Sequence, residues 1–468
     1  MNRSLNQEMK HIFEDTRFYS SIWGVAIQSL NTSEFIFLKN ENINLIPASN
    51  LKLFTTAAAL VNLSPEYRIK TSIYHTGTIT ENGVLKGDLI IVGRGDPSIC
   101  GRYHDGNITF VFDTWADSLK KYGVTKIDGN IIGDDNYFDD IPMGQGWAWD
   151  YQSDWYAAQI SALSFNDNCV DIVISPGDSV NHKAKIVKIP DIKFGEINNY
   201  ITTTNGSNSN KISFIRSRGI NEITFQGQIN INDRAKRHWV TIENPTLYFV
   251  ESFKQILEGH GIETTGKAFD IDQLTAPIQL HDSLFVFEHY SPPLLSIIKT
   301  INKSSQNLYA ELILRILGAE FKGIGSAENG IKVIREFITS MGINPANFTM
   351  VDGSGLSRLN LVTPKDIVTL LKYMYSHKYA DSFISSLSIS GVDGTLKNRL
   401  NHESSKGKVK GKTGYLGNVV SLSGYIERND DDVYIFCLIN NNYSTPTAMS
   451  QELQELVCER IINYSPIQ

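Results

Sequence analysis

The sequence predicts an α/β (α+β) protein: a main domain with an antiparallel five-stranded sheet flanked by helices, interrupted by inserted β-rich domains. Three observations predict this. Strand patterns lie at both ends of the chain, two early in "SSIWGVAIQSLNTSEFIFLKN" and three late in "GKTGYLGNVVSLSGYIE" and "DVYIFCLINN". Helical patterns accompany them at each end, in "IPASNLKLFTTAAAL" and "TAMSQELQELVCERIINYS". Between these ends the chain is dense in strand and turn signals.

Taken in order, the first two strands join at a turn over Asn31–Glu34, and the apolar, alanine-rich helix follows with Ser49 at its start. The middle carries "NGVLKGDLIIVGRGDPS", "VTKIDGNIIGDDNYF", "VDIVISPGD" and "KISFIRSRGINEITFQGQI", all of strand-and-turn character. The polar stretch "ITTTNGSNSNK" reads as an exposed loop. A helix over "ENPTLYFVESFKQILEGHGI" ends at a glycine, and the chain is expected to rejoin the first domain near Phe285. The last two strands are separated by the "RNDDD" turn, and a Thr or Ser cap is expected to open the final amphipathic helix. No internal repeat is present.

A chain of 468 residues is too long for one ordinary domain, and 41% hydrophobic with 20% charged residues describes a soluble globular protein. A net charge of -7, with no block rich in Lys and Arg, argues against nucleic acid as a partner. The four cysteines form no CxxC pair, so neither a zinc site nor a dense disulfide framework is expected; whether Cys437 and Cys458 pair is left open. The histidines form no HExxH or HxH pattern, and GxGxxG and Walker motifs are absent, so no metal and no cofactor are predicted. The aspartates of "IDGN" and "GDDN" read as turn residues. There is no apolar run long enough for a transmembrane helix, and the opening "MNRSLNQEMKHIFEDTRFY" lacks the apolar centre of a signal peptide.

The chemistry is carried by Lys52. It sits three positions after Ser49 in a run that must be buried, where an ammonium loses its proton readily, and i and i+3 share a helix face. Ser-x-x-Lys alone is a weak signal, since it also occurs at Ser118, Ser296 and Ser405. Two further motifs follow in order. Ser305-Gln306-Asn307 opens a strong helix, where a Ser/Asn pair also serves as an ordinary cap; Lys412-Thr413-Gly414, the only such triplet in the chain, begins a strand. Serine–lysine acyl transferases use this ordered trio.

With these residues the chain resembles the class C low-molecular-mass penicillin-binding proteins, the D-alanyl-D-alanine carboxypeptidase/endopeptidases of the penicillin-binding protein 4 type. The resemblance runs through "GDLIIVGRGDPSI", "GWAWDYQSDWYAAQISALSFNDN", "MVDGSGLSRLN" and "SISGVDGTLKNRL", and the long gap between Ser49 and Ser305 matches the family's insertion. It implies a transpeptidase/β-lactamase-like catalytic domain over residues 1–65 and 285–468. It also implies an inserted domain over 66–168 and 241–284, and a smaller β-rich domain over 169–240 nested within it. It makes Arg94-Gly95-Asp96 a structural element rather than an integrin-type ligand.

The resemblance also implies the roles. Ser49 is the nucleophile and Lys52 its base; Ser305, touching Lys412, passes a proton to the leaving nitrogen; Asn307 holds substrate and Lys52. The backbone amides of Ser49 and Tyr415 form the oxyanion hole, with Thr413, beside the Lys412 cation, binding the terminal carboxylate and Gly414 admitting the ligand to the backbone. Tyr415 departs from the Thr or Ser usual there, which predicts weaker carboxypeptidase and stronger endopeptidase action. Trp147, Asp150, Arg358 and Leu416 match the pocket that reads a diaminopimelate side chain, with Asp150 pairing its ammonium and Arg358 its carboxylate; the structural alternative makes Trp147 a core aromatic and Arg358 an ion-pair partner. Peptidoglycan stem peptides are the expected substrates and β-lactams the expected inhibitors. The expected location is periplasmic or extracellular, with loose peripheral membrane association and a signal peptide missing from this sequence. Two rivals stand beside this reading: a serine β-lactamase or esterase, and a catalytically silent peptidoglycan-binding protein.

Overall fold

The computed structural model describes residues 4–206, 211–275, 283–428 and 432–464. Residues 207–210 of the expected polar loop and 429–431 of the expected late turn lie outside the described residues. The chain forms two compact units. The first comprises Met1–Tyr67, Gly144–Trp147 and Pro293–Gln468; the second comprises Arg68–Met143 and Ala148–Pro292.

The first unit is built on one antiparallel sheet. Its elements are α1 (Leu5–Ile12), β1 (Ile22–Ser29), β2 (Phe35–Lys39), α2 (Lys52–Leu63), α3 (Leu294–Lys303), α4 (Asn307–Lys322), α5 (Ala327–Ser340), α6 (Pro364–Tyr375), α7 (Ala380–Ser386), β3 (Ser388–Ile389), β4 (Val409–Leu416), β5 (Val419–Glu427), β6 (Val433–Asn441) and α8 (Thr447–Asn463). The strand order is β3-β4-β5-β6-β1-β2. The sheet therefore has six strands, not five: the two-residue β3 pairs its edge through Ser388↔Gly411 and Ile389↔Lys410, a segment too short to carry a strand pattern in sequence. The N-terminal strand β1 pairs the C-terminal strand β6 along its whole length, Ile22↔Asn441 to Ser29↔Tyr434, which joins the two ends of the chain.

Every residue of β1 after Ile22 is buried, because helices cover both faces of the sheet. On one face Trp23, Val25, Ile27, Phe436 and Leu438 pack with Leu5 and Met9 of α1 and with Leu453, Val457 and Ile461 of α8. Each large apolar side chain removed from water there contributes about 1.5–3 kcal/mol. On the other face α6 lies on β1 and β6. Pro446 precedes α8 and Thr447 is its first residue, so the expected Thr or Ser side-chain cap is not formed. All four cysteines are free and buried, Cys437 and Cys458 included.

In the second unit a five-stranded sheet runs Ala268–Asp270, Ile131–Asp134, Leu89–Val92, Lys70–His75, Leu284–Tyr290. Phe285 belongs to the last of these strands, which pairs with Lys70–His75, and the chain re-enters the first unit at Pro293. Helices Phe110–Lys121 and Pro245–Gly259 meet over a core of Phe112, Trp115, Phe249 and Phe253. A four-stranded sheet of Glu263–Thr264, Lys126–Ile127, Val84–Lys86 and Thr78–Ile79 and two three-stranded sheets complete the unit, one of the latter of Cys169–Ser175, Lys185–Ile189 and Lys236–Thr241, the other of Glu196–Thr204, Ile212–Arg216 and Glu222–Asn230. Among the described residues no helix is long and apolar enough to cross a membrane.

Candidate active site

The site begins with a short irregularity. Ser49 is not on the α-helix itself but in a 3-10 turn, Ala48–Leu51, and α2 begins at Lys52. The tighter turn follows from Ala48, whose φ of +47° is left-handed and costly for a residue with a Cβ. Strain of this kind persists only where neighbours enforce it. Gly355 packs against this residue: at φ +79° it lies so close that a Cβ on it would fall 2.0 Å from the Ala48 carbonyl oxygen.

Helix α2 is buried from Lys52 to Leu60 among α3, α4 and α5, and Lys52 is fully buried with it. Its Nζ donates to Asn307 Oδ1 at 2.6 Å and to the Ser354 carbonyl at 2.6 Å, and lies 2.9 Å from Ser49 Oγ. Two of these neighbours can only accept. A neutral amine satisfies both with its two N–H groups and turns its lone pair to the Ser49 hydroxyl, which is the geometry of a base beside a nucleophile. Burial pushes the Lys52 ammonium down from 10.5 to about 7, against the opposing pull of Asp352 and Glu311.

Asn307 is the first residue of α4, and its amide goes to Lys52 instead of capping the helix; Gln306 occupies the cap position. Ser305 stands just outside, at φ +57°. There its Oγ accepts from Lys412 Nζ at 2.9 Å. The Lys412 ammonium also donates to the Thr413 carbonyl at 2.8 Å, and burial together with the charge of Lys52 holds it well below its ordinary value.

Strand β4 brings Lys412, Thr413 and Gly414 past the serine. Thr413 Oγ1 donates to Thr395 Oγ1 at 2.7 Å. Tyr415 is 61% exposed, and Leu416 is buried. Asn50, buried beside Ser49, ties turn to strand by donating to the Lys412 carbonyl (3.1 Å) and Ser421 Oγ (2.7 Å), and Ser421 in turn donates to the Pro47 carbonyl at 2.7 Å. The structure thus brings Ser49, Lys52, Ser305, Asn307, Lys412 and the backbone of Gly414 together.

The four residues matched to a side-chain pocket are placed differently. Trp147 donates its ring nitrogen to Asp352 Oδ2 at 2.9 Å. Arg358 is exposed and donates to the Gly417 carbonyl at 2.8 Å, just past Leu416. Asp150 is exposed on a 3-10 turn, Trp149–Tyr151, of the second unit. Asp96 is only 1% exposed, so the Arg94-Gly95-Asp96 tripeptide cannot present its carboxylate to a partner.

Sequence reasoning missed Asn50, Ser354, Glu311 and Asp352. Glu311 left a signal: it is the only acid between two apolar stretches of α4 and falls one turn after Asn307. Ser354 acts through its carbonyl, which no residue identity encodes.

Among the described residues one acidic trio could hold a metal ion, Asp135, Asp270 and Asp272. Two of the three carboxylates take protein donors: Asp135 accepts through Oδ2 from Thr246 and from Ser161 (3.2 Å), and Asp270 from Asn244 (2.8 Å). Burial raises the Asp135 carboxyl to about 6.

The family model for D-Ala-D-Ala carboxypeptidase 3 (S13) matches residues 5–459. A D-alanyl-D-alanine carboxypeptidase from an Actinomadura species is 28% identical over 472 residues, covering 98% of this chain and 85% of that protein. The D-alanyl-D-alanine carboxypeptidase DacB of Haemophilus influenzae is 26% identical, covering 90% and 86%. The crystal structure of penicillin binding protein 4 from Haemophilus influenzae superposes with a TM-score of 0.83 at 23% identity, over 99% of this chain and all of that one. The chain belongs to the D-Ala-D-Ala carboxypeptidase 3 (S13) family and is a serine-type peptidase.

Proposed function

We propose that the chain is a serine D-alanyl-D-alanine carboxypeptidase/endopeptidase that acts on peptidoglycan stem peptides through an acyl-enzyme on Ser49. The observation that carries this is the contact of a fully buried, readily deprotonated Lys52 with Ser49 Oγ at 2.9 Å. Neutral Lys52 takes the Ser49 proton as Oγ attacks the carbonyl between the two D-alanines. The amides of Ser49 and Tyr415 receive the oxyanion; the approach of Gly414 to the Ser49 amide supports that pairing. As the C–N bond breaks, Ser305 passes its proton to the departing nitrogen and regains one from the Lys412 ammonium, a route supported by their 2.9 Å contact. The proton that Lys52 took from Ser49 makes good that loss, which leaves Lys52 neutral for the attack of water. Water then cleaves the ester and restores Ser49. A β-lactam acylates the same serine and remains there. One solved relative, penicillin binding protein 4 of Haemophilus influenzae, is described in complex with a β-lactam.

Thr413 and the Lys412 cation bind the terminal carboxylate. The exposed phenol of Tyr415 offers no short hydroxyl to that carboxylate, which favours cross-linked substrates over free D-Ala-D-Ala ends. Arg358, Trp147 and Leu416 of the first unit read the third residue of the stem, Arg358 as the carboxylate partner. The two three-stranded sheets of the second unit support a nested smaller domain over 169–240 inside the insertion. The enzyme works outside the cytoplasmic membrane, where its substrate lies, in the periplasm or beyond, with loose peripheral attachment to the membrane.

Fluorescent penicillin tests the reading. A stable adduct on the Ser49 peptide, absent in Ser49→Ala, is the expected result. Rapid turnover of the adduct would make the protein a β-lactamase, and no adduct on any residue would make it a silent binding protein.

A further inference from the structure

Behind Lys52 lies a buried acidic pair that the steps above do not use. Glu311 and Asp352 are each fully buried. Glu311 Oε1 accepts from the Gly353 amide at 3.0 Å and the Ser354 amide at 2.8 Å, and Oε2 accepts from the Gly353 amide at 3.1 Å. Arg315 Nη1 lies 3.7 Å from Glu311 Oε2. Asp352 accepts from the amides of Gly355 (2.8 Å) and Ser357 (2.7 Å), from Asn360 Nδ2 (2.8 Å) and from Trp147 Nε1 (2.9 Å). The segment so held turns its carbonyls onto α2: Gly353 accepts from Thr55 Oγ1 at 2.8 Å, and Ser354 from Lys52 Nζ at 2.6 Å.

Every one of these neighbours is a donor. A protonated carboxyl needs an acceptor for its own hydrogen, and these contacts supply none, so the contacts suit two carboxylates, against the burial that raises both groups, Glu311 to about 7. Burying a carboxylate is costly, and a loop can be fastened by neutral groups. Arg315 answers one of the two charges from behind Glu311, and the ammonium of Lys52, in contact with the clasped loop, is the cation that faces the other.

We infer that Glu311 is a positioning residue for the reaction at Ser49: it clasps the Gly353 and Ser354 amides so that the Ser354 carbonyl is aimed at Lys52, and with Asp352 it forms the buried counter-charge to that lysine. The inference rests on Lys52 being the base. The charged groups facing the lysine are Glu311 from α4, Asp352 from the loop and Lys412 from β4, with Arg315 behind Glu311. Burial drives Lys52 towards the neutral amine, and the two carboxylates pull it back. That balance has a chemical purpose. A base must lose its proton at working pH and still hold the one it takes from serine, which an amine buried without counter-charge does poorly.

The test reads the lysine directly. Lysine labelled with ¹³C at Cε gives a Lys52 resonance, assigned with Lys52→Arg, whose midpoint is followed against pH in the wild type, Glu311→Gln and Asp352→Asn. The pH profile of penicillin acylation is measured in parallel. In Glu311→Gln the Lys52 midpoint and the acid limb of acylation both move to lower pH by about one pH unit or more. Glu311→Asp keeps the charge on a shorter arm, so it leaves the midpoint near the wild-type position and lowers the rate. A folded Glu311→Gln with a slower rate and an unmoved midpoint overturns the inference, since that is the signature of a merely structural acid. Should Glu311→Gln not fold, Asp352→Asn decides by the same midpoint, because it removes one charge and leaves the Glu311 clasp in place. A wild type whose Lys52 titrates near neutrality, with a midpoint that moves in Glu311→Gln but no acylation by penicillin, refutes the proposed reaction while the counter-charge role stands.

Discussion

Gly414 stands against the backbone of Ser49: a Cβ built on it falls 2.9 Å from the Ser49 amide nitrogen, 2.9 Å from the Pro47 carbonyl and 2.2 Å from Ser421 Oγ. The last residue of the Lys-Thr-Gly triplet is therefore a spacing device, and its lack of a side chain sets how closely β4 approaches the serine. In Gly414→Ala the backbones must part. Overpacking of this kind costs about 1–3 kcal/mol of stability. Acylation by a fluorescent penicillin should fall roughly 100-fold or more, because displacing an oxyanion-hole donor has that effect. Wild-type rates in this variant would remove the proposed pairing of the Ser49 and Tyr415 amides.

Acylation should depend on pH through Lys52. With its ammonium held at about 7, the reactive neutral amine appears as pH rises, so the rate should climb through neutrality and level above it. Lys52→Met should remove this limb together with most of the activity. A wild-type profile flat from pH 5 to 9 would exclude Lys52 as the base.

The same shift has a stability consequence. The folded ammonium is held at about 7 and the unfolded one titrates near 10.5, so between these values the unfolded chain binds more protons. Stability then rises with pH across that window, and the unfavourable contribution of Lys52 is fully present only below it. The Tm of the wild type minus that of Lys52→Met should therefore increase from pH 7 to pH 10. A decreasing difference would contradict the depressed ammonium.

Tyr415 should govern the balance between the two peptidase activities. Tyr415→Thr restores a short hydroxyl beside the terminal carboxylate, and a hydrogen bond to a charged group contributes about 1.5–3 kcal/mol, roughly a tenfold to hundredfold gain in kcat/KM. The gain should appear for substrates with a free D-Ala-D-Ala end and not for cross-linked dimers. Equal gains on both substrates, or none, would sink the assignment.

Arg358 should act on binding. It is exposed and engages only the Gly417 carbonyl among its described hydrogen bonds, so Arg358→Ala should leave the Tm nearly unchanged. It should raise KM about tenfold or more for stem peptides bearing a carboxylate on the third side chain. An unchanged KM for such peptides would place Arg358 outside the recognition of the stem.

The trio was legible from residue type and spacing. Ser49 and Lys52 are three positions apart in an apolar run, and burial of that run is enough to require an unusual lysine. The antiparallel sheet built from both ends of the chain was legible too, since strand patterns of length five to nine survive in sequence where the two-residue β3 does not. Local geometry escaped. Sequence reasoning placed Ser49 at the start of the helix, whereas it lies in a 3-10 turn after the left-handed Ala48, against which Gly355 packs from a distant segment.

By itself, then, the sequence determined which groups were the candidates for the chemistry and which apolar segments had to be buried around them, because both are properties of side chains and their periodicity. Only the tertiary structure decided how those groups meet. Asn307 turns from a helix cap to an amine partner, Ser354 contributes a carbonyl, and the buried Glu311 and Asp352 hold the loop whose carbonyl reaches Lys52. Carbonyl direction and long-range desolvation arise from segments hundreds of residues apart closing on one another, and no local pattern along the chain records them.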